Sequence, residues 1–61
     1  MSYRIVIAER AWSMTRWADI IGVDRSGLSH RMRRHGIHVV TQYIKTKVAA
    51  MLKEGYVLPK E

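Results

Sequence analysis

Apolar residues recur at helical spacing in three stretches of the chain. The first stretch carries four of them at i, i+3, i+4 and i+7, and these are Met14, Trp17, Ala18 and Ile21. This spacing places them on one face and predicts a helix over 14–21. Ser13 is a good N-cap, and Trp12 and Trp17 have the spacing of a hydrophobic staple around it. Gly22 ends the helix because glycine adopts the left-handed conformation without steric cost.

A second helix is predicted over 25–35, with Asp24 as its N-cap and Gly36 as its stop. Leu28 and Met32 are one helical turn apart and form its buried stripe. The face opposite this stripe is polar and basic.

A third helix is predicted over 41–54, with Thr41 as its N-cap and Gly55 after its last turn. Its apolar stripe consists of Ile44, Val48, Met51 and Leu52. An apolar tail follows at 56–58, and it can pack on the domain, pair as a strand or contact a partner chain.

The N-terminal segment is compatible with two structures. Residues 3–7 are of types that favour strands, whereas Ile5, Ala8 and Trp12 recur at helical spacing. Residues 38–40 also have strand character, so a two-stranded pairing of 38–40 with 3–7 is one possible arrangement. In either case the pattern predicts one domain, 1–61, that is mainly α-helical.

Length and composition limit the classes of protein to which the chain can belong. It has 61 residues, no cysteine and a formal net charge of +6. A domain of this length has a small core, and without cysteine it forms no disulfide, so a second copy of the chain is a reasonable source of stability. No apolar run is long enough to span a membrane, and no charged leader precedes an apolar stretch. We therefore expect a cytoplasmic protein of a bacterium or of a virus in its bacterial host.

Positive charge is concentrated in the second predicted helix. Residues 25–34 contain four arginines, one histidine and no acidic residue. A focused basic patch attracts polyanions, and nucleic acid is the commonest of them.

Four residues at fixed spacings lie around the junction of the first two predicted helices. Ala18 is small where two helices approach closely, and Gly22 forms the turn four residues later. Val23 fills the gap between the helices, and Leu28 anchors the second helix. With these residues, the segment 14–34 resembles the helix-turn-helix of DNA-binding proteins, including phage repressors and the DNA-binding ends of resolvases and invertases.

The resemblance implies a mainly α fold, namely a small helix-turn-helix domain of three to four helices with a strand or helix at its N-terminus. The second motif helix would enter the major groove of duplex DNA, in a nucleoid-associated protein. Five residues would contact base edges: Arg25, Ser26, Ser29, His30 and Arg33. Four would contact phosphates: Thr15, Arg16, Arg31 and Arg34.

Three functions are compatible with this resemblance. The first is a small transcriptional regulator of the phage or plasmid repressor type, which binds a palindromic site as a homodimer. We expect the dimer to form through the C-terminal helix, with Ile44, Val48, Met51 and Leu52, and through the tail. The second is an accessory DNA-binding protein in recombination directionality or packaging. The third is a small basic viral protein that binds and inhibits a host protein.

The sequence favours neither a metal site nor an enzyme. His35 and His38 are separated by Gly36, which breaks helical geometry, and no cysteine or acidic residue stands near to complete a tetrahedral site. The five acidic residues are scattered, whereas a metal-dependent nuclease needs clustered carboxylates. No phosphate-binding glycine loop or dinucleotide fingerprint occurs, so we expect no cofactor.

Overall fold

The computed structural model describes residues 4–60, so Tyr3, the first residue of the predicted N-terminal strand, lies outside the described part. Two strands precede three helices along the chain. Their bounds are β1 (Arg4–Ile7), β2 (Arg10–Ser13), α1 (Met14–Ile21), α2 (Arg25–His35) and α3 (Ile37–Lys53). The protein is therefore a small, mainly helical domain with a short antiparallel sheet at its N-terminus.

The two strands form a hairpin in which Ile5 faces Trp12 and Ile7 faces Arg10. Ala8 and Glu9 connect them, at positive φ values of 51° and 66°. Positive φ at both connecting residues is the requirement of the type I′ turn, whose twist matches that of a hairpin. The strand interpretation of this segment is thus confirmed, but the predicted pairing of 3–7 with 38–40 is wrong, because β1 pairs with β2 instead.

The C-terminal tail packs against this hairpin. Arg10 donates from Nε to the carbonyl oxygen of Pro59 at 2.9 Å and from a terminal guanidinium nitrogen to that of Ala8, also at 2.9 Å. Leu58 is buried in the core, whereas Val57 is exposed. Of the three alternatives for the tail, packing on the domain is therefore the observed one for Leu58.

Both helices of the central segment begin and end where the sequence predicts. The Ser13 hydroxyl accepts from the backbone N–H of Arg16 at 3.3 Å, and the Asp24 carboxylate accepts from that of Ser26 at 3.2 Å. These bonds satisfy backbone donors that have no partner within a helix. The predicted staple is also present, since the rings of Trp12 and Trp17 lie 4.6 Å apart between centroids.

The connection between α1 and α2 has the predicted glycine turn. Gly22 adopts φ 74° and ψ 31° in the left-handed region. The backbone N–H of Val23 donates to the carbonyl of Ala18 at 3.0 Å, and the Ala18 side chain is buried. Gly22 and this hydrogen bond therefore end α1 with a tight turn, and α2 begins three residues later.

The third helix begins four residues earlier than predicted. It starts at Ile37 with Gly36 as N-cap, so Thr41 is not a cap and residues 38–40 are not a strand. The physical reason is burial. Val40 is completely buried together with Ile44 and Val48 at helical spacing, and this packing outweighs the strand propensity of 38–40.

The core forms where the hairpin and the three helices meet. Its largest fully buried side chains are Trp17, Leu28, Ile44, Val40 and Val48. Ile44 and Val48, which the sequence analysis assigned to a dimer surface, are thus inside this chain's own core at 0% and 1% exposure, and a second copy cannot reach them. Met51 is half-buried and Leu52 is exposed.

Candidate nucleic-acid interface

The second helix presents one narrow apolar edge to the core and the rest of its surface to solvent. Leu28 is 1% exposed, and Met32 is half-buried against the core. Leu28 and Met32 are one helical turn apart, so α2 packs against the core along one narrow line of its surface. Its polar side chains are carried on the remaining circumference.

All five predicted base-contacting residues lie together on this outer face. They line one shallow, open groove, formed by Arg25, Ser26, Ser29, His30 and Arg33. Ser29 is half-buried and the other four are exposed. The two serines have short side chains, so the floor of the groove is close to the helix backbone, and the two arginines project beyond it.

A second open groove runs along the neighbouring flank of α2. It is lined by Ser26, Gly27, His30, Arg31, Arg34 and His35. Two of the predicted phosphate contacts, Arg31 and Arg34, are here. Ser26 and His30 line both grooves, so they form the ridge between the flank with Arg33 and the flank with Arg34.

Arg31 is held in place by an aromatic ring of the next helix. Its guanidinium carbon lies 4.3 Å from the centroid of the Tyr43 ring, and Lys47 Nζ lies 5.7 Å from the same centroid. Arginine stacks well on aromatic faces, and the contact restricts an otherwise flexible side chain. The sequence analysis assigned no role to Tyr43, because its pairing with Arg31 depends on how α2 packs against α3.

The remaining two predicted phosphate contacts are on α1. Thr15 and Arg16 are exposed in its first turn, and the Arg16 guanidinium lies 4.7 Å from the centroid of the Trp12 ring. Neither residue lines the two grooves of α2. The structure therefore brings together seven of the nine predicted site residues and leaves these two on a separate element.

The electrostatic character of the outer face follows directly from the sequence. Residues 25–53 contain four arginines, three lysines and no acidic residue. Within residues 4–60, no hydrogen bond or ion pair engages the side chains of Arg25, Arg33 or Arg34. Their guanidinium groups are thus available to an anionic ligand.

Gly27 is a position whose importance the sequence did not reveal. Its backbone does not have a positive φ, and a Cβ built there would meet nothing within 4 Å. Neither the backbone conformation nor the packing of this chain therefore requires glycine. Glycine within a helix costs about 1 kcal/mol relative to alanine, and nothing within the chain compensates for that cost at this position.

Other classes of site were sought in the same part of the chain. Among residues 4–60, no three His, Asp or Glu side chains come together in a way that could hold a metal ion. No helix in this range is long and apolar enough to cross a membrane. No protein-family model, curated protein or solved structure shows significant similarity to the chain.

Proposed function

We propose that the chain is a helix-turn-helix protein that binds duplex DNA sequence-specifically, as a small transcriptional regulator, with α2 in the major groove. The observation that supports this proposal is the outer face of α2, where two arginines, two serines and a histidine line one open groove that contains no carboxylate. The major groove is about 12 Å wide and admits one α-helix.

The side-chain chemistry of the groove fits the edges of base pairs. Arginine donates two parallel hydrogen bonds to O6 and N7 of guanine, which is the commonest specific contact. We assign this role to Arg25 and Arg33, and the short side chains of Ser26 and Ser29 would leave room for the helix to lie deep. Arg31 and Arg34 on the neighbouring flank are proposed to contact phosphates, which position a protein without distinguishing sequences.

Glycine at position 27 supports the same arrangement. The groove that it lines also holds Arg31 and Arg34, so a phosphate backbone bound by these arginines would pass close to its Cα. A side chain at 27 would hold the helix away from the DNA.

The deciding experiment is selection from a random duplex library at about 150 mM salt, where long-range attraction between exposed charges is largely screened. We expect a palindromic consensus, bound by a homodimer. A tandem or non-palindromic consensus would instead indicate the recombination or packaging function. Recovery of no sequence above background would contradict the proposal and favour a protein partner.

A matched pair of variants separates sequence recognition from general attraction. Arg33→Ala combined with Arg34→Ala removes two charges from α2, and Lys45→Ala combined with Lys53→Ala removes two exposed charges from α3. We expect the first pair to weaken binding and to lose the preference at the base pair that Arg33 contacts, and the second pair to preserve the full consensus. Equal losses in both would mean that the protein acts only as a polycation.

Substitution of Gly27 by alanine is expected to move folding and binding in opposite directions. The variant gains about 0.5–1 kcal/mol of folding stability, because alanine favours the helix and its methyl group meets nothing in the chain. Its affinity for the selected duplex falls by about tenfold, or 1.4 kcal/mol, because the methyl group obstructs a close contact. Urea denaturation and fluorescence anisotropy measure the two effects. Unchanged affinity in the stabilised protein would show that DNA does not approach this flank.

A further inference from the structure

A third groove lies away from the outer face of α2, between the end of α1 and the C-terminal half of α3. Ile21, Ala50, Met51 and Tyr56 line it, together with Lys47 and Glu54. Tyr56 remains 41% exposed although it is aromatic. The groove therefore offers apolar surface to solvent in a protein whose own core is small.

The two charged residues of the groove are arranged symmetrically about its centre. Lys47 is on α3, and Glu54, seven residues later, is the C-cap directly after the helix, so the two residues lie about 10 Å, or two helical turns, apart along the helix axis. They lie on one side of the helix, and the midpoint between them falls between Ala50 and Met51. A positive charge and a negative charge thus flank an apolar centre, which contains the small side chain of Ala50.

This arrangement is complementary to itself. When two copies of α3 cross antiparallel about a two-fold axis between Ala50 and Met51, Lys47 of each copy faces the partner's Glu54. A two-fold axis applies every contact twice, so two opposite-charge pairs form and no like charges face each other. The small Ala50 side chain allows the helices to approach closely. A nucleic acid is a poor occupant of the same groove, because Glu54 would repel it.

We propose that the protein forms a homodimer through this groove, with α3 antiparallel to the partner's α3. This surface excludes Ile44 and Val48 of the predicted dimer stripe, because both are buried in the core. It includes Met51 from that stripe and Tyr56 from the tail. This proposal does not rest on DNA binding, because the groove shares no residue with the two grooves of α2. It does supply the two-fold symmetry that a palindromic site requires.

Charge reversal tests the pairing directly. Lys47→Glu places two acids opposite each other across the axis, and Glu54→Lys places two lysines there. By sedimentation equilibrium at low salt, we expect each variant to raise the dimer Kd by about tenfold or more, because two attractive pairs become repulsive. The double variant, Lys47→Glu with Glu54→Lys, restores both pairs in reversed order and recovers dimerisation to within about threefold of the wild type.

Mixing the two single variants provides a sharper version of the test. In a heterodimer of Lys47→Glu and Glu54→Lys, each charge meets its opposite, so the equimolar mixture dimerises more tightly than either variant alone. The Lys47→Glu subunit lacks the contact between Lys47 and the Tyr43 ring in the mixture as well, so a recovery of dimerisation there is attributable to the restored charge pairs and not to that contact. A mixture as monomeric as its components would overturn the proposal, as would a wild-type chain that stays monomeric at millimolar concentration.

Lys45→Glu is the matched control, because this exposed residue of α3 does not line the groove. We expect it to leave the dimer Kd unchanged, and a loss equal to that of Lys47→Glu would contradict the groove assignment. All substituted positions are exposed, and circular dichroism verifies that each variant is folded. Recovery of a palindromic consensus together with charge-insensitive dimerisation would overturn this surface while leaving the proposed DNA binding intact.

Discussion

Replacement of Trp17 by alanine is expected to remove a large part of the protein's folding stability. Trp17 is fully buried, stacks on Trp12, and donates from Nε1 to the carbonyl oxygen of Ile5 at 2.8 Å. It therefore joins α1 to both strands of the hairpin. Removal of a buried tryptophan costs about 3–5 kcal/mol. A domain of this length has about 3–9 kcal/mol of stability in total, at roughly 0.05–0.15 kcal/mol per residue. Urea denaturation followed by circular dichroism measures the loss.

Trp17→Phe separates the two contributions of this side chain. It retains an aromatic ring beside Trp12 but leaves the Ile5 carbonyl without its indole donor, a loss of about 1–3 kcal/mol. We therefore expect a folded protein with a lower urea midpoint. Arg34→Ala is the control for an exposed position and leaves the midpoint unchanged. A Trp17→Ala protein as stable as the wild type would show that the hairpin is not packed through this residue.

The two central helices were predictable because their signals are local. Ser13 and Asp24 cap helices through bonds to backbone N–H groups two or three residues away, and Gly22 ends a helix through its own conformation. Each of these effects depends on neighbouring residues only. Leu28 was likewise predictable as a core anchor, because a leucine on a mostly basic helix is buried only when its side of the helix faces the core.

The hairpin and the start of α3 were not predictable because longer-range packing decides them. The connection of β1 to β2 uses Ala8 and Glu9 at positive φ, where a hairpin turn is usually signalled by asparagine and glycine. Residues 38–40 have strand propensity, but Val40 is needed in the core beside Ile44 and is buried there as part of a helix. The same packing explains why Ile44 and Val48, two residues of the predicted dimer stripe, are buried inside the chain's own core.

The outer face of the candidate site was predictable from helical periodicity alone. Once Leu28 is fixed inward, the positions of Ser26, His30 and Arg33 follow from the pitch of the helix. Gly27 and Tyr43 could not be identified in this way. Gly27 becomes informative only when the space around it is known to be empty, and Tyr43 only when α3 is placed beside Arg31.

Arg33→Ala and Arg34→Ala are expected to weaken DNA binding in different ways. Arg33 lines the groove with Arg25 and Ser29, so its loss removes a proposed base contact. We expect discrimination at one base pair of the selected site to fall by about 1–3 kcal/mol. Arg34 lines the other flank with Gly27 and Arg31, so its loss removes a proposed phosphate contact. Binding then weakens about equally for all sequences, and the slope of log K against log salt decreases in magnitude by about one for each copy bound.

Competition binding against duplexes with single base-pair changes, repeated at several salt concentrations, measures both effects. The two residues are adjacent, carry the same charge and are both exposed, so each variant is the control for the other. Because the two variants have the same net charge, any difference between them in sequence preference must come from where Arg33 and Arg34 lie on α2. If Arg34→Ala alters base preference and Arg33→Ala does not, the helix enters the groove rotated about its axis. If neither alters it, α2 contacts only the phosphate backbone, and the proposed base contacts are wrong.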